Sequence, residues 1–186
     1  MSAVSESLLQ LVRADRYREV RSLLLDVYRE IYADEGQVFH NVDRFAERAD
    51  MYASLDGWSA VLGRTGDNGG GVTGYAFGAP LPTGSAWWNS AADPLPGDFT
   101  REDGRRTFAV FEVMVRRPWR GTGEAHRLHE RLLHDRPEQR ATLLVNAAHP
   151  AVRQRYEQWG YRALGDQRPF ADAPVYTMML REPLHG

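Results

Sequence analysis

The chain has 186 residues, a formal net charge of −2 and no cysteine. That length suits one domain with a real core, spanning 1–186. The charge supplies no global basic field for nucleic acid or an anionic membrane. The missing cysteines exclude disulfides, thiolate zinc sites and a cysteine nucleophile. All 23 lysine-or-arginine positions are arginine, which excludes a P-loop and a pyridoxal Schiff base, since each needs lysine.

The opening, MSAVSESLLQLVRADRYREV, has no basic segment followed by a long apolar one, and no run in the chain approaches the ~20 apolar residues that span a bilayer. No membrane association and a cytoplasmic location are therefore expected. SLLQLVR, residues 7–13, reads as a short strand. From Asp15, apolar residues recur at helical spacing (Tyr17, Val20, Leu24, Val27, Ile31), and Gly36 is the expected stop. Residues 41–57 read as a second helix, capped by Asn41 or Asp43 and stopped at Gly57. WSAVLGR and GVTGYAFGAPL predict two strands joined by a glycine-rich turn.

Residues 82–105 have no periodicity. Such a long loop is usually functional or mobile. It holds the adjacent pair Trp87 and Trp88 and the acids Asp93, Asp98, Glu102 and Asp103. Two tryptophans without a helix or strand period are not both easily buried. One or both are expected to contact an acceptor, with the acids drawing a cation; the bland alternative is that the pair pins the loop to the core.

RTFAVFEVMV, residues 106–115, is apolar on both faces and reads as a central buried strand. RGTGEA then opens an amphipathic helix with Ala125, Leu128, Leu132 and Leu133 on one stripe. ATLLVN is another buried strand, HPAVRQRYEQWG a short helix closed by Gly160, and YRALGDQ and PVYTMML are the last strands. The pattern is one α/β domain with a mixed sheet.

The glycine turn has several possible meanings. A dinucleotide fingerprint needs glycine or alanine where His126 stands. A kinase glycine loop lies in a hairpin, not before a helix. A plain turn is the simplest alternative. The fourth possibility is a phosphate cradle at a helix N-terminus, and Arg116, Arg117 and Arg120 favour it by concentrating positive charge there.

Strand, R-x-x-G-x-A (Arg120, Gly123, Ala125), amphipathic helix, strand and then YEQWGY together resemble the GNAT N-acetyltransferases. The resemblance is convincing over about 58–181 and weaker before that. It implies a three-layer α/β fold with a twisted mixed sheet, splayed to admit acetyl-CoA, and transfer of an acetyl group to the amine of a small molecule or peptide. The pyrophosphate would then lie on Arg120, Gly121, Thr122, Gly123, Glu124 and Ala125, and Val113, Met114 and Val115 would run beside pantetheine, next to a bulge exposing an oxyanion donor. His149 stands where an asparagine is usual, so His149 or Asn146 would supply that contact. Family members are often dimers, which makes a homodimer possible.

Two residues carry the chemistry. Glu112, inside an otherwise apolar strand, is either paired with an arginine or kept as a general base of raised pKa. Tyr156 is either core packing or, by the resemblance, the acid that protonates the leaving thiolate. Without cysteine, direct attack in a ternary complex is expected. A non-catalytic acyl-CoA sensor is the alternative; it could lose both proton-transfer residues. His126, His129, Glu130 and His134 do not put three ligands on one patch, so no metal is expected.

Overall fold

The computed structural model describes residues 9–66 and 70–186. Seven strands form one sheet in the order β1-β2-β3-β4-β5-β7-β6: β1 (Leu9–Ala14), β2 (Ser59–Thr65), β3 (Val72–Pro80), β4 (Thr107–Val115), β5 (Arg140–Asn146), β6 (Arg162–Gln167) and β7 (Tyr176–Arg181). All neighbours are antiparallel except β4 and β5. The helices are α1 (Tyr17–Ile31), α2 (Val42–Ala53), a single turn α3 (Gly97–Thr100), α4 (Glu124–Leu133) and α5 (Pro150–Gln158). Among the described residues no helix is long and apolar enough to cross a membrane.

Side-chain alternation along the strands builds three layers. Ala60 and Leu62 of β2 and Tyr75 and Phe77 of β3 face α1 and α2, where they meet Leu24, Val27 and Phe45. Val61 and Ala76, one position out of phase, face Leu128, Leu132 and Leu133 of α4. The apolar stripes of α1 and α4 are the periodicities visible in the sequence. Residue size matters at one crossing. The buried Glu124 carboxylate accepts a hydrogen bond of 2.5 Å from the Thr73 hydroxyl, and a Cβ on Gly63 would sit 2.2 Å from both groups. The strand must be bare there for α4 to dock.

Several expected ends move. The first predicted strand is β1 at Leu9–Ala14, with residues 7 and 8 outside the described ones, as are 67–69 of the predicted hairpin turn. Helix α1 stops at Ile31, before Gly36, because Tyr32 leaves the helical region and its N–H closes on the Tyr28 carbonyl. Asn41 is the cap of α2, its side chain accepting from the Asp43 amide at 2.8 Å. That helix ends at Ala53, and Gly57, with φ +78°, makes the later turn into β2.

Loop 82–105 is better ordered than its composition suggests. It contains α3, and it bridges to the far end of the sheet through Ala91 and Gln167. Trp88 is its anchor: 4% exposed, packed with Leu81, Ala109, Met178 and Leu180. Its indole donates to Glu102 at 3.0 Å. Glu102 is also buried and pairs with the buried Arg140 at 3.1 Å.

Candidate active site

β4 and β5 pair only where Thr107–Ala109 meets Arg140–Thr142. Beyond that they diverge, leaving two facing strand edges with no ladder between them. A cleft of about 900 Å³ occupies the gap, lined by residues 110–115 of β4 and 143–146 of β5. One end reaches the start of α4 and the face of α5; the other reaches α1, α2 and β7.

The β3–β4 ladder slips by one residue: Phe77 lies opposite Glu112, whereas Gly78 lies opposite Val110, so Phe111 is the extra residue of a bulge. A bulge bends its strand and re-aims side chains. Phe111 stacks on Tyr52 at 3.8 Å between ring centroids. Glu112 lines the cleft. Among the described residues no arginine comes within salt-bridge distance of it, so the buried-ion-pair alternative fails. It is partly shielded from solvent, and loss of hydration raises its pKa to about 7, with the charge of Arg48 opposing the rise. A ring of phenols senses that carboxylate: Tyr28, Tyr32, Tyr52, Tyr156 and Tyr176 are all pushed above the ordinary tyrosine value, first by burial and then by Glu112.

Tyr156 is positioned by the end of α5. The Gly160 amide bonds the Glu157 carbonyl at 3.1 Å and the Tyr161 amide bonds the Tyr156 carbonyl at 3.0 Å. With Gly160 at φ +88°, this is a Schellman closure. The tyrosine–glycine–tyrosine spacing in the sequence is therefore the spacing of a helix stop. Its apolar clasp is the contact between the Tyr156 and Tyr161 rings, 5.8 Å apart. Tyr156 lines the cleft, and its hydroxyl has no hydrogen-bonding partner among the described residues.

Before α4, Gly121 (φ +76°) and Gly123 (φ +83°) turn the chain into the helix in the left-handed region. A Cβ on either would meet nothing within 4 Å. The turn is thus an open, bare cradle, and the first amides of α4 have no acceptor within the helix. Arg120, Gly121, Gly123, Glu124 and Ala125 line the cleft. Thr122 does not; its hydroxyl donates to the Trp119 carbonyl at 2.7 Å. The Glu124 side chain turns inward to Thr73 and Arg127, so only its backbone is on offer to a ligand. The expected concentration of charge is smaller than the sequence suggests. Arg116 pairs with Glu30, and Arg117 with Asp34 at 3.1 Å, both acids near the end of α1. Arg155 of α5, which the sequence did not single out, also lines the cleft.

The Asn146 side chain accepts from the Ala148 amide at 2.9 Å, shaping the turn after β5. Asn146 and the exposed His149 both line the cleft. The tryptophans separate: Trp87 lines the cleft and packs on Phe111, whereas Trp88 is the loop's anchor and does not reach it. The loop acids are also absent from the cleft wall. Glu102 is buried against Arg140, Asp98 pairs with Arg101, and Asp103 accepts from the Arg105 amide. The expectation that they attract an acceptor is therefore dropped. The described residues contain no cluster of three metal-ligating side chains.

The sequence missed the wall beyond Glu112, made by Tyr28, Tyr32, Phe39, His40, Arg48, Tyr52 and Tyr176. One signal was present: Arg48 interrupts the inward stripe Phe45, Ala49, Tyr52 of α2.

Residues 100–182 match the sequence family described as the acetyltransferase (GNAT) domain. No curated protein matches the chain. Among solved structures it is similar to a GNAT-superfamily phosphinothricin acetyltransferase from Sinorhizobium meliloti in complex with acetyl-CoA, with TM-score 0.60, 17% identity, and 95% of this chain and 89% of that one covered. It is similar to a spermidine N-acetyltransferase chimera of Vibrio cholerae and human sequence, with TM-score 0.61, 14% identity, and 95% and 96% covered. An acetyltransferase from Thermus thermophilus gives TM-score 0.60 at 13% identity, covering 94% and 97%. Identities this low speak for a shared fold.

Proposed function

We propose that this chain, a member of the GNAT acetyltransferase family, moves an acetyl group from acetyl-CoA to a primary amine by direct attack within a ternary complex. The observation that carries this is that Glu112 and Tyr156 open onto one cleft that also reaches the bare glycine cradle.

The residues present fit CoA. The amides after Gly121 and the positive end of α4 suit a pyrophosphate, with Arg120 and Arg155 as nearby cations. The unpaired edge of Val113, Met114 and Val115 suits the amides of pantetheine, and Asn146 and His149 flank the same channel. Bound acetyl-CoA supplies the reactive thioester.

The chain's own groups do the rest. An amine arrives mostly as ammonium and must lose a proton before it can attack. Glu112, with a pKa of about 7, takes that proton well at neutral pH. The thiolate that departs needs a proton, and the Tyr156 hydroxyl, held neutral by burial, can donate one. The strand edge at the bulge offers backbone N–H groups for the charge that develops on the carbonyl oxygen. Trp87 and Phe111 wall the acceptor side. No thiol exists to carry an acyl-enzyme.

The test is release of CoA from acetyl-CoA across a panel of amines, with mass spectrometry of the products. Amine-dependent release is expected. CoA that binds and stabilises the protein without release above background for any amine would favour a sensor instead.

A further inference from the structure

Resting on that acetyl-transfer reading, we propose that the acceptor is an amino acid, a primary amine that also carries a carboxylate, and that Arg48 binds this carboxylate while the amine faces Glu112.

Arg48 is 6% exposed, projects from α2 and forms part of the cleft wall beyond the bulge. Its guanidinium donates to the Phe39 carbonyl at 2.9 Å and to the Tyr28 hydroxyl at 3.2 Å. It lies over the Phe39 ring, 3.9 Å from the centroid. These contacts orient the group, but each partner is neutral, and a guanidinium has five N–H donors. Among the described residues no carboxylate lies within ion-pair distance of Arg48. Of the neighbouring acids that line the cleft, Glu35 is held by His40 at 2.5 Å and Asp34 by Arg117 at 3.1 Å. A buried cation without a counter-ion is costly, and a planar fork suits a carboxylate in particular.

Glu112 lines the same cleft, and the positive charge of Arg48 opposes the rise of its pKa. The acceptor end thus offers a proton-accepting carboxyl and a fixed cation facing a common space. A zwitterion answers both. A polyamine would set a second ammonium against Arg48. A simple neutral-bodied amine would leave Arg48 uncompensated. Tyr32, Tyr52, Phe111 and Trp87 surround the space with flat apolar surface, which suits a hydrocarbon or aromatic side chain.

The test compares matched acceptors: leucine and phenylalanine, their carboxamides, the corresponding decarboxylated amines, and spermidine. For the wild type, kcat/KM for each amino acid should exceed that for its amide by about 10- to 100-fold, the range of a charge-assisted contact. In Arg48→Met that ratio should fall to near one, with Arg48→Lys between the two. Each variant's stabilisation by CoA reports that it is folded. An amide, decarboxylated amine or spermidine turned over as well as the acids overturns the proposal, and so does an Arg48→Met variant that keeps the wild-type ratio. If no amine releases CoA, the acetyl-transfer reading fails by itself, and thermal stabilisation of the CoA-bound protein then decides. Stabilisation by the amino acid over its amide, lost in Arg48→Met, supports the anion site; equal or absent stabilisation overturns it.

Discussion

Replacing Glu112 by glutamine tests the base through stability as well as rate. In the folded chain the pKa of Glu112 rises from 4.5 to about 7 because burial disfavours the charged form. Folding therefore favours the protonated acid. The native state holds its proton more tightly than the unfolded chain, so this group's contribution is undiminished below pH 4.5 and is lost as pH rises through 7. A shift of about 2.5 units corresponds to roughly 3 kcal/mol at full ionisation. Glutamine is nearly isosteric and does not ionise. Glu112→Gln should therefore be nearly neutral below pH 4, more stable than wild type by about 1 kcal/mol at pH 5, and by about 3 kcal/mol at pH 8.5. For a chain of this size that is roughly 6 to 12 °C in Tm at the higher pH. The assay is urea denaturation of both proteins between pH 4 and 9. Activity should move the other way: wild-type kcat/KM rises with pH to a midpoint near 7, and the variant is slow and lacks that limb. A stability difference that does not grow with pH would refute the buried-acid argument. A rate limb that persists in the variant would place the base elsewhere.

Tyr156→Phe should lower kcat about 10- to 1,000-fold with little change in the KM for acetyl-CoA; its Tm should hold, since the hydroxyl bonds to nothing among the described residues, and normal turnover would return Tyr156 to a packing role. Gly123→Glu should abolish stabilisation by CoA, which for the wild type amounts to about 2.7 kcal/mol at a hundredfold excess over Kd; a retained shift would move the pyrophosphate away from the glycine turn. The adjacent tryptophans should diverge. Trp87→Ala raises the acceptor KM and leaves CoA affinity within about twofold, whereas Trp88→Ala destabilises by about 3 to 5 kcal/mol, since it empties the loop's anchor and strips Glu102 of a donor. Identical behaviour of the two would contradict their separation.

The sequence by itself determined the strand and helix order, the faces of α1 and α4, the glycine turn before α4 and the tyrosine–glycine stop after α5, because each is written in local chemistry. Period, cap and left-handed glycine need no knowledge of distant residues. Glu112 stood out for the same reason, as one charge in an apolar strand. Only the tertiary structure decided what these elements enclose. The divergence of β4 from β5 is a relation between strands about thirty residues apart. The bulge at Phe111 exists only against the register of β3. The fates of Trp87 and Trp88, adjacent in sequence, are set across the fold: the Trp87 indole donates to the Thr142 hydroxyl at 3.3 Å and packs on Phe111, whereas that of Trp88 donates to Glu102. Arg116 and Arg117 read as anion ligands until α1 brings Glu30 and Asp34 to them. Arg48, the most consequential residue that went unremarked, reads as one more helical arginine until packing buries its charge in the cleft wall with only neutral partners among the described residues.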